Sequence, residues 1–458
     1  MKKKEEEKLK AKARRISIKE GSAYSVSEGF GIRNIIPYAL ALGANNKHIG
    51  FLSSIPGFLG TFSQLYALKL MSKVSRKKIA FYGALFQAVM WLPIILLGIL
   101  FFFFNINHSL IPALLIFIYT LVVLFGSFFG PAWSSWMKDL VSNNQGKYFG
   151  RRNKICGFIA LVSMLIAGFI LDYFKKTKLV YGFMIIFGVA FLFRGVSSFL
   201  FLKKYEPEIK YEKGYYFSFF QFVKAMTKNN FGRFVLYVSL IQFATAISSP
   251  FLAVYMLNYL KFDYTTYTII AISSSFASIL FMTFWGRFAD KYGNIKLIKI
   301  TGFIIPIIPI LWLISPLFLS HVNLVLYLII IEAFSGIVWA GFNLSSSNFV
   351  YDAVTRQRMG LCVAYFNILN GVGIFFGAII GGFISSADFT FFGLQPILFI
   401  LLLGGIIRLI ISLIMVPKIS EVKKVRKFKL KDMKERVLTL PFYILKEFEM
   451  HIKPPRPT

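Results

Sequence analysis

Twelve runs of about twenty apolar residues divide this chain, and each is long enough to cross the hydrocarbon core of a bilayer as a helix. In that core a peptide group without a partner costs several kcal/mol, so a spanning segment must be a helix or part of a closed barrel. The runs are continuous and lack the alternation of barrel strands, which leaves helices. They fall near 23–42, 49–68, 79–104, 110–136, 155–171 and 180–202, then near 234–257, 267–285, 298–319, 324–350, 362–384 and 394–416. A mean hydropathy of +0.66, with 57% hydrophobic residues, fits an all-α, multi-pass membrane protein and excludes a soluble one of this length.

The net charge of +32 would suit a nucleic-acid binder if it were gathered on a folded basic domain. It is spread over loops instead. Of the 52 Lys and Arg, 44 fall on one side of the expected membrane, 5 on the other and 3 inside it. That bias places both termini in the cytoplasm, in the cell membrane, against a local exception at Lys175, Lys176 and Lys178. No nucleic-acid partner is expected. Cys156 and Cys362 lie near the cytoplasmic ends of their helices, where no disulfide framework is expected. The charged first 22 residues lack the apolar core of a cleavable signal, so the first helix is the expected insertion signal.

The two halves repeat one another. After the fourth and tenth runs come Ser134 to Asp139 and Ser347 to Asp352, each followed by basic residues and a glycine, Gly150 or Gly360. Arg194, Ser197, Ser198 and Lys203 in and after the sixth run match Arg408, Ser412 and Lys418 in and after the twelfth, and Pro37 matches Pro250. The expected division is a basic N-terminal segment at 1–22, a six-helix bundle at 23–202, a linker at 203–233, a second bundle at 234–416 and a basic tail at 417–458. The linker predicts an interfacial helix near 217–226. The tail predicts an amphipathic helix on the anionic leaflet, carried by Leu430, Met433, Val437, Ile444 and Phe448.

Between the eighth and ninth runs stands Gly286-Arg287-Phe288-Ala289-Asp290-Lys291-Tyr292-Gly293-Asn294-Ile295-Lys296, a tight charged turn. Gly293 suits the positive φ of such a reversal, and Asp290, ill placed at the negative end of its own helix, predicts a partner helix start. This G-x-x-x-D-K-x-G-x-x-K pattern resembles the signature loop of the major facilitator superfamily, secondary transporters built from two pseudo-symmetric six-helix bundles. The corresponding first-half stretch at 68–78 has Ser72 where the family has its aspartate. The resemblance implies a monomeric carrier of a small solute, working by alternating access in the lipid bilayer without cofactor or metal. It also implies that Asp290 reaches the start of the fifth helix, where Arg151 or Arg152 attracts it when the cytoplasmic side closes.

Charges within a membrane need a reason. Arg33 lies mid-way along the first run and Glu332 within the tenth, where Glu332, Gly336, Trp339 and Asn343 share a helical stripe. In the family the first, fourth, seventh and tenth helices line the cavity. That adds Gln242, Thr245 and Ser134 as candidate binding groups, and Glu28 or Glu332 as a candidate proton carrier. Arg33 and Glu332 are alternatively a neutralising pair, while Glu28 and Arg33, about 140° apart on a continuous helix, are not expected to meet. Trp133 and Trp136 read as interfacial anchors, and Arg194 and Arg408 as structural, snorkelling or pairing with acids. Gly373, Gly377 and Gly381 form a smooth packing face. No HExxH, P-loop or nucleophile elbow is present, which argues against an enzyme and against an ATP-driven pump. A transporter-shaped receptor or scaffold is the rival reading, and drug export and nutrient import stay open within transport.

Overall fold

The computed structural model describes residues 2–71, 73–104, 110–141, 145–175, 178–207, 218–318, 320–355, 358–391, 393–423 and 425–426. Ser72, Arg356, 208–217 and the tail from 427 lie outside the described residues, and so do the expectations placed on them. Taking each kinked pair as one, and leaving aside one short helix between the halves, twelve helices are described. The first six are α1 (Lys2–Phe30, continued by Ile35–Ala41), α2 (Asn46–Leu70), α3 (Arg76–Phe104), α4 (Leu110–Leu140), α5 (Gln145–Lys175) and α6 (Leu179–Leu202). The second six are α7 (Asn230–Tyr259), α8 (Tyr264–Tyr292), α9 (Asn294–Leu317), α10 (His321–Ala353), α11 (Met359–Ser385) and α12 (Pro396–Met415). Ten of them, all but α1 and α2, are long and apolar enough to cross a membrane by composition alone. A short helix, Phe219–Ala225, opened by a Ser218 and Gln221 capping box, lies between the halves.

The kinks have covalent causes. Pro93 lacks the N–H that would bond Val89, and α3 bends at Met90; Pro131 and Pro306 mark the bends in α4 and α9. α1 runs without interruption from Lys2 to Phe30, so the charged stretch from Lys2 and the start of the bundle share one helix.

Packing repeats between the halves. α1 lies on α5 and α6, α2 on α4, and α3 on α6; α7 lies on α11 and α12, α8 on α10, and α9 on α12. The glycine stripe of α11 faces α7, where a Cβ at 373, 377 or 381 would overlap the carbonyl oxygens of Ser239, Phe243 and Ile247. This is the close backbone approach that small residues permit in lipid. The halves meet through α2 with α11 and α5 with α8.

Buried polar groups repeat as well. Arg194 donates to Gln87 Oε1 (2.6 Å) and Ser197 Oγ (3.0 Å) beneath the rings of Tyr24 and Phe129. Arg408 donates to Ser248 Oγ (2.8 Å) and the Thr245 carbonyl (3.3 Å). Neither snorkels, and their hydrogen-bond partners are amide, hydroxyl and carbonyl groups inside the bundle rather than acids. Trp136 is no interfacial anchor: it is fully buried, its indole donates to the Tyr205 carbonyl (2.9 Å), and Lys204 Nζ sits 4.4 Å from its ring. Burial pushes that ammonium down to about 8.

Both halves cap their third helix from the chain that follows their sixth. Glu206 accepts from Arg76 N (2.8 Å) and Lys77 N (3.3 Å) at the start of α3, and Glu421 accepts from Ile295 N (2.8 Å) at the start of α9. A carboxylate there meets free N–H groups and the positive helix end. Gly293, at φ +95°, leaves the space that the Glu421 carboxyl fills. Glu421 thus caps α9 from within its own half, and Asp290, at the end of α8, is exposed.

Beside each cap an aspartate is neutralised differently. Asp139 binds the fully buried Arg76 (2.6 Å), whereas Asp352 binds Asn294 Nδ2 (2.8 Å) and Lys423 Nζ (2.6 Å), whose side chain is 59% exposed. Arg76→Gln should cost about 3 kcal/mol, the low end for a broken buried pair because Asp139 is partly open to solvent. Lys423→Gln should cost under about 1 kcal/mol. Thermal unfolding in detergent checks both, and equal losses would contradict this assignment.

Candidate functional site

The site begins with a break in α1. Gly31 adopts a non-helical conformation (φ −99°, ψ −81°) and Ile32–Asn34 forms one 3-10 turn before the helix resumes. Asn34, buried, donates to the carbonyls of Gly29 (2.9 Å) and Phe30 (3.1 Å), which the break deprives of helical partners. Pro37 removes a further helical hydrogen bond just beyond. A side chain at 31 would run into Trp91, so the local backbone has no room for anything but glycine.

The break brings Arg33 onto Glu28. Arg33 Nη2 and Nε donate to one oxygen, Glu28 Oε1, at 2.8 and 3.2 Å. The angular separation expected from a continuous helix does not apply across this turn, and Glu332 is not Arg33's counter-ion. The pair is open: the side chains are 50% and 24% exposed.

That exposure is to a cavity of about 470 Å³ lined by α1, α5, α8 and α10. α1 supplies Tyr24, Ser25, Glu28 and Arg33; α5 supplies Arg152, Asn153 and Cys156; α8 supplies Ser274, Ser275 and Ser278; α10 supplies Gly336 and Trp339. α8 and α10 approach so closely that a Cβ at 336 would overlap the Ser274 carbonyl. Arg152, toward the face where α1 begins and α12 ends, is held by Glu20 (3.6 Å) and the Ser17 carbonyl (3.3 Å) and stacks on Trp133 (4.8 Å). Trp133 is thereby a platform for a cation of its own half.

Arg33, Gly336 and Trp339, expected in the cavity wall, are brought together here with Glu28, expected as a proton carrier, and Arg152, expected as a partner of Asp290. Glu332 lies one turn beyond Gly336, outside the lining. Gln242 and Thr245 are half-buried in α7, where Thr245 Oγ1 bonds back to the Ile241 carbonyl (2.8 Å); Asn343 and Ser134 are exposed outside the lining. The α8 serines and the α5 face are residues that helix order alone did not nominate. Their signal was Ser274 and Ser278, four apart on one face of a largely apolar run.

The opposite end of the cavity is shut. There Asp172, at the end of α5, accepts from Tyr264 N (2.8 Å) and Thr265 N (2.6 Å) at the start of α8, joining the two halves. Asn46 Nδ2 donates to the Ser385 carbonyl (2.8 Å), Phe51 meets Phe383, and Phe58 stacks on Phe375 along α2 and α11. At the other face Asp290 and Arg151 are both exposed.

A family model of the Major Facilitator Superfamily matches residues 24–242 and again 234–448. The chain belongs to that superfamily. It is a secondary transporter of small solutes across a membrane, in line with the matched halves described above. Among solved structures, the fold is similar to that of a point mutant of the nucleoside transporter NupG, with TM-score 0.69 at 14% identity over 90% of this chain and 100% of that one. It is also similar to a bacterial homologue of the iron transporter ferroportin in an inward-facing state (TM-score 0.62, 9% identity, 89% and 99% covered). A third likeness is to a bacterial homolog of the human lysosomal transporter Spinster, inward-facing and unoccupied (TM-score 0.59, 13% identity, 89% and 95% covered). No curated protein sequence matches the chain significantly.

Cys156 reports on the cavity, since it lines it half-buried while Cys362 is buried. In oriented vesicles of the Cys362→Ser protein, an impermeant maleimide should label Cys156 from the face bearing the start of α1. Labelling only from the opposite face would contradict the assigned opening.

Proposed function

We propose that this superfamily member moves a small polar solute by alternating access, with the cavity around Arg33 as its binding site and the present arrangement as its cytoplasm-open state. The observation that carries this reading is the pairing of a sealed face, held by Asp172 on α8, with a polar cavity reaching from Arg33 to Arg152. The heavy bias of Lys and Arg toward the face bearing the start of α1 supports cytoplasmic termini and a place in the cell membrane. A hydroxyl-rich lining with an exposed ion pair favours a polar solute over a greasy one.

Closing the cytoplasmic side brings the start of α5 toward the end of α8. Asp290 then meets the free N–H groups of α5 with Arg151, and competes with Glu20 for Arg152. Opening the outer side releases Asp172 from the start of α8. The two aspartates are therefore latches of opposite sense. Spin labels across each face should show Asp172→Ala shifting the population outward-open and Asp290→Asn shifting it inward-open. Distances unchanged in both variants would contradict the rocking mechanism.

Glu332 is the coupling carboxylate in this reading. It has no cation partner among the described residues, and a carboxylate in the membrane interior needs either a partner or a proton. It lies one helical turn from Gly336 of the cavity wall, which brings its charge close to the site. Glu332→Gln should abolish accumulation driven by an imposed pH gradient, by about tenfold or more, while solute counterflow persists. Gradient-driven uptake equal to wild type would remove Glu332 from the coupling path. Counterflow also separates a carrier from a transporter-shaped receptor, which binds without exchange.

A further inference from the structure

The Glu28 and Arg33 pair is arranged for exchange with a ligand. Both Arg33 donors converge on Oε1, so Glu28 Oε2 and Arg33 Nη1 have no hydrogen-bond partner among the described residues. A pair serving structure alone gains more from two parallel hydrogen bonds. This one is single-sided and stands half open to the cavity.

The charges around the cavity balance. Arg33 faces Glu28, Arg152 faces Glu20, and the rest of the wall contributes hydroxyls, an amide and the Trp339 ring. A solute of net charge would leave a charge unmatched in the site. A solute carrying both signs would not.

We infer that the cavity takes an amino-acid-sized zwitterion, whose carboxylate binds Arg33 and whose ammonium binds Glu28 as the internal pair separates. This rests on the reading of the cavity as the transport site. The α8 serines and Trp339 then meet the uncharged part of the solute. The exchange also explains the location of the pair across the break in α1. Glu28 belongs to the long lower helix, and Arg33 leads into Ile35–Ala41, which packs against Phe251–Val254 of α7 near the sealed face. Separating the two side chains works on the hinge held by Asn34, so occupancy bears directly on the contact between the halves.

The test uses the full-length protein in liposomes and in detergent. Thermal stabilisation and counterflow are measured with the twenty amino acids and dialanine. For the best of them, the analogue lacking the ammonium, the analogue lacking the carboxylate, and uridine and ribose as neutral probes follow. The expected result is stabilisation and flux with a zwitterion, at least tenfold weaker apparent affinity for either single-charge analogue, and the same loss in Arg33→Gln and Glu28→Gln. The Glu28→Gln/Arg33→Gln double variant, which leaves no unpaired charge, keeps the fold testable: it should unfold at a temperature near wild type and still not bind. Equal binding of a single-charge or neutral probe, binding in Arg33→Gln and Glu28→Gln within threefold of wild type, or no effect of any zwitterion overturns the inference. Uridine or ribose counterflow in that case leaves the transport reading standing, whereas no counterflow with any probe counts against both.

Discussion

The arrangement depends on a carboxylate of one half capping a helix of the other. Asp172 takes two backbone N–H groups at the start of α8, where the helix dipole adds to the attraction. Hydrogen bonds to a charged group are worth about 1.5–3 kcal/mol each, so this contact is strong enough to favour one state and weak enough to be released by a bound solute. The α2 with α11 contact seals the same face. With that face closed, the cavity between α1, α5, α8 and α10 runs from Arg33 to Arg152. The proposed latch at Asp290 applies the same physics at the other face, a carboxylate from the end of α8 aimed at the start of α5.

Duplication explains why polar groups sit where a bilayer makes them costly. Glu206 and Glu421 solve one problem, the orphan N–H groups of a helix start, at matched places in each half. Arg194 and Arg408 hold sixth to first and third helices, and twelfth to seventh, through neutral partners. The copies have diverged where a cation is needed beside Asp139 and Asp352. The first half uses the buried Arg76. The second has Asn294 and borrows Lys423 from the chain after α12.

Much of the architecture was legible because the bilayer imposes it. Length and continuity of apolar runs set the helices, loop charge set the matched sides, and repeated residues set the two halves. The site was legible in part. Arg33, Glu28, Gly336 and Trp339 stood out as polar or small residues on apolar helices, and all meet at the cavity. The Glu28 and Arg33 contact was not legible from helical angles, because a continuous helix places the two on different faces and only the break at Gly31 unites them. Its signals, Gly31, Asn34 and Pro37, were present, but a glycine and an asparagine reveal a break only once the carbonyls that Asn34 satisfies are seen. The lining from α5 and α8 was hidden for another reason. Serines and glycines on an apolar run fit a lipid-facing or packed helix as well as a cavity wall. Asp172 gave no sign either, since its partner is a backbone start 92 residues away.

The central claim is that the two halves rock about the cavity and that the sealed face must part for solute to pass. The most direct measurement is transport by a protein with Asn46→Cys and Ser385→Cys in a background where Cys156 and Cys362 are serine, before and after bridging the new pair with a short thiol-cleavable reagent. The account predicts that counterflow stops when the bridge forms and returns on reduction. Undiminished flux through fully bridged protein would contradict it.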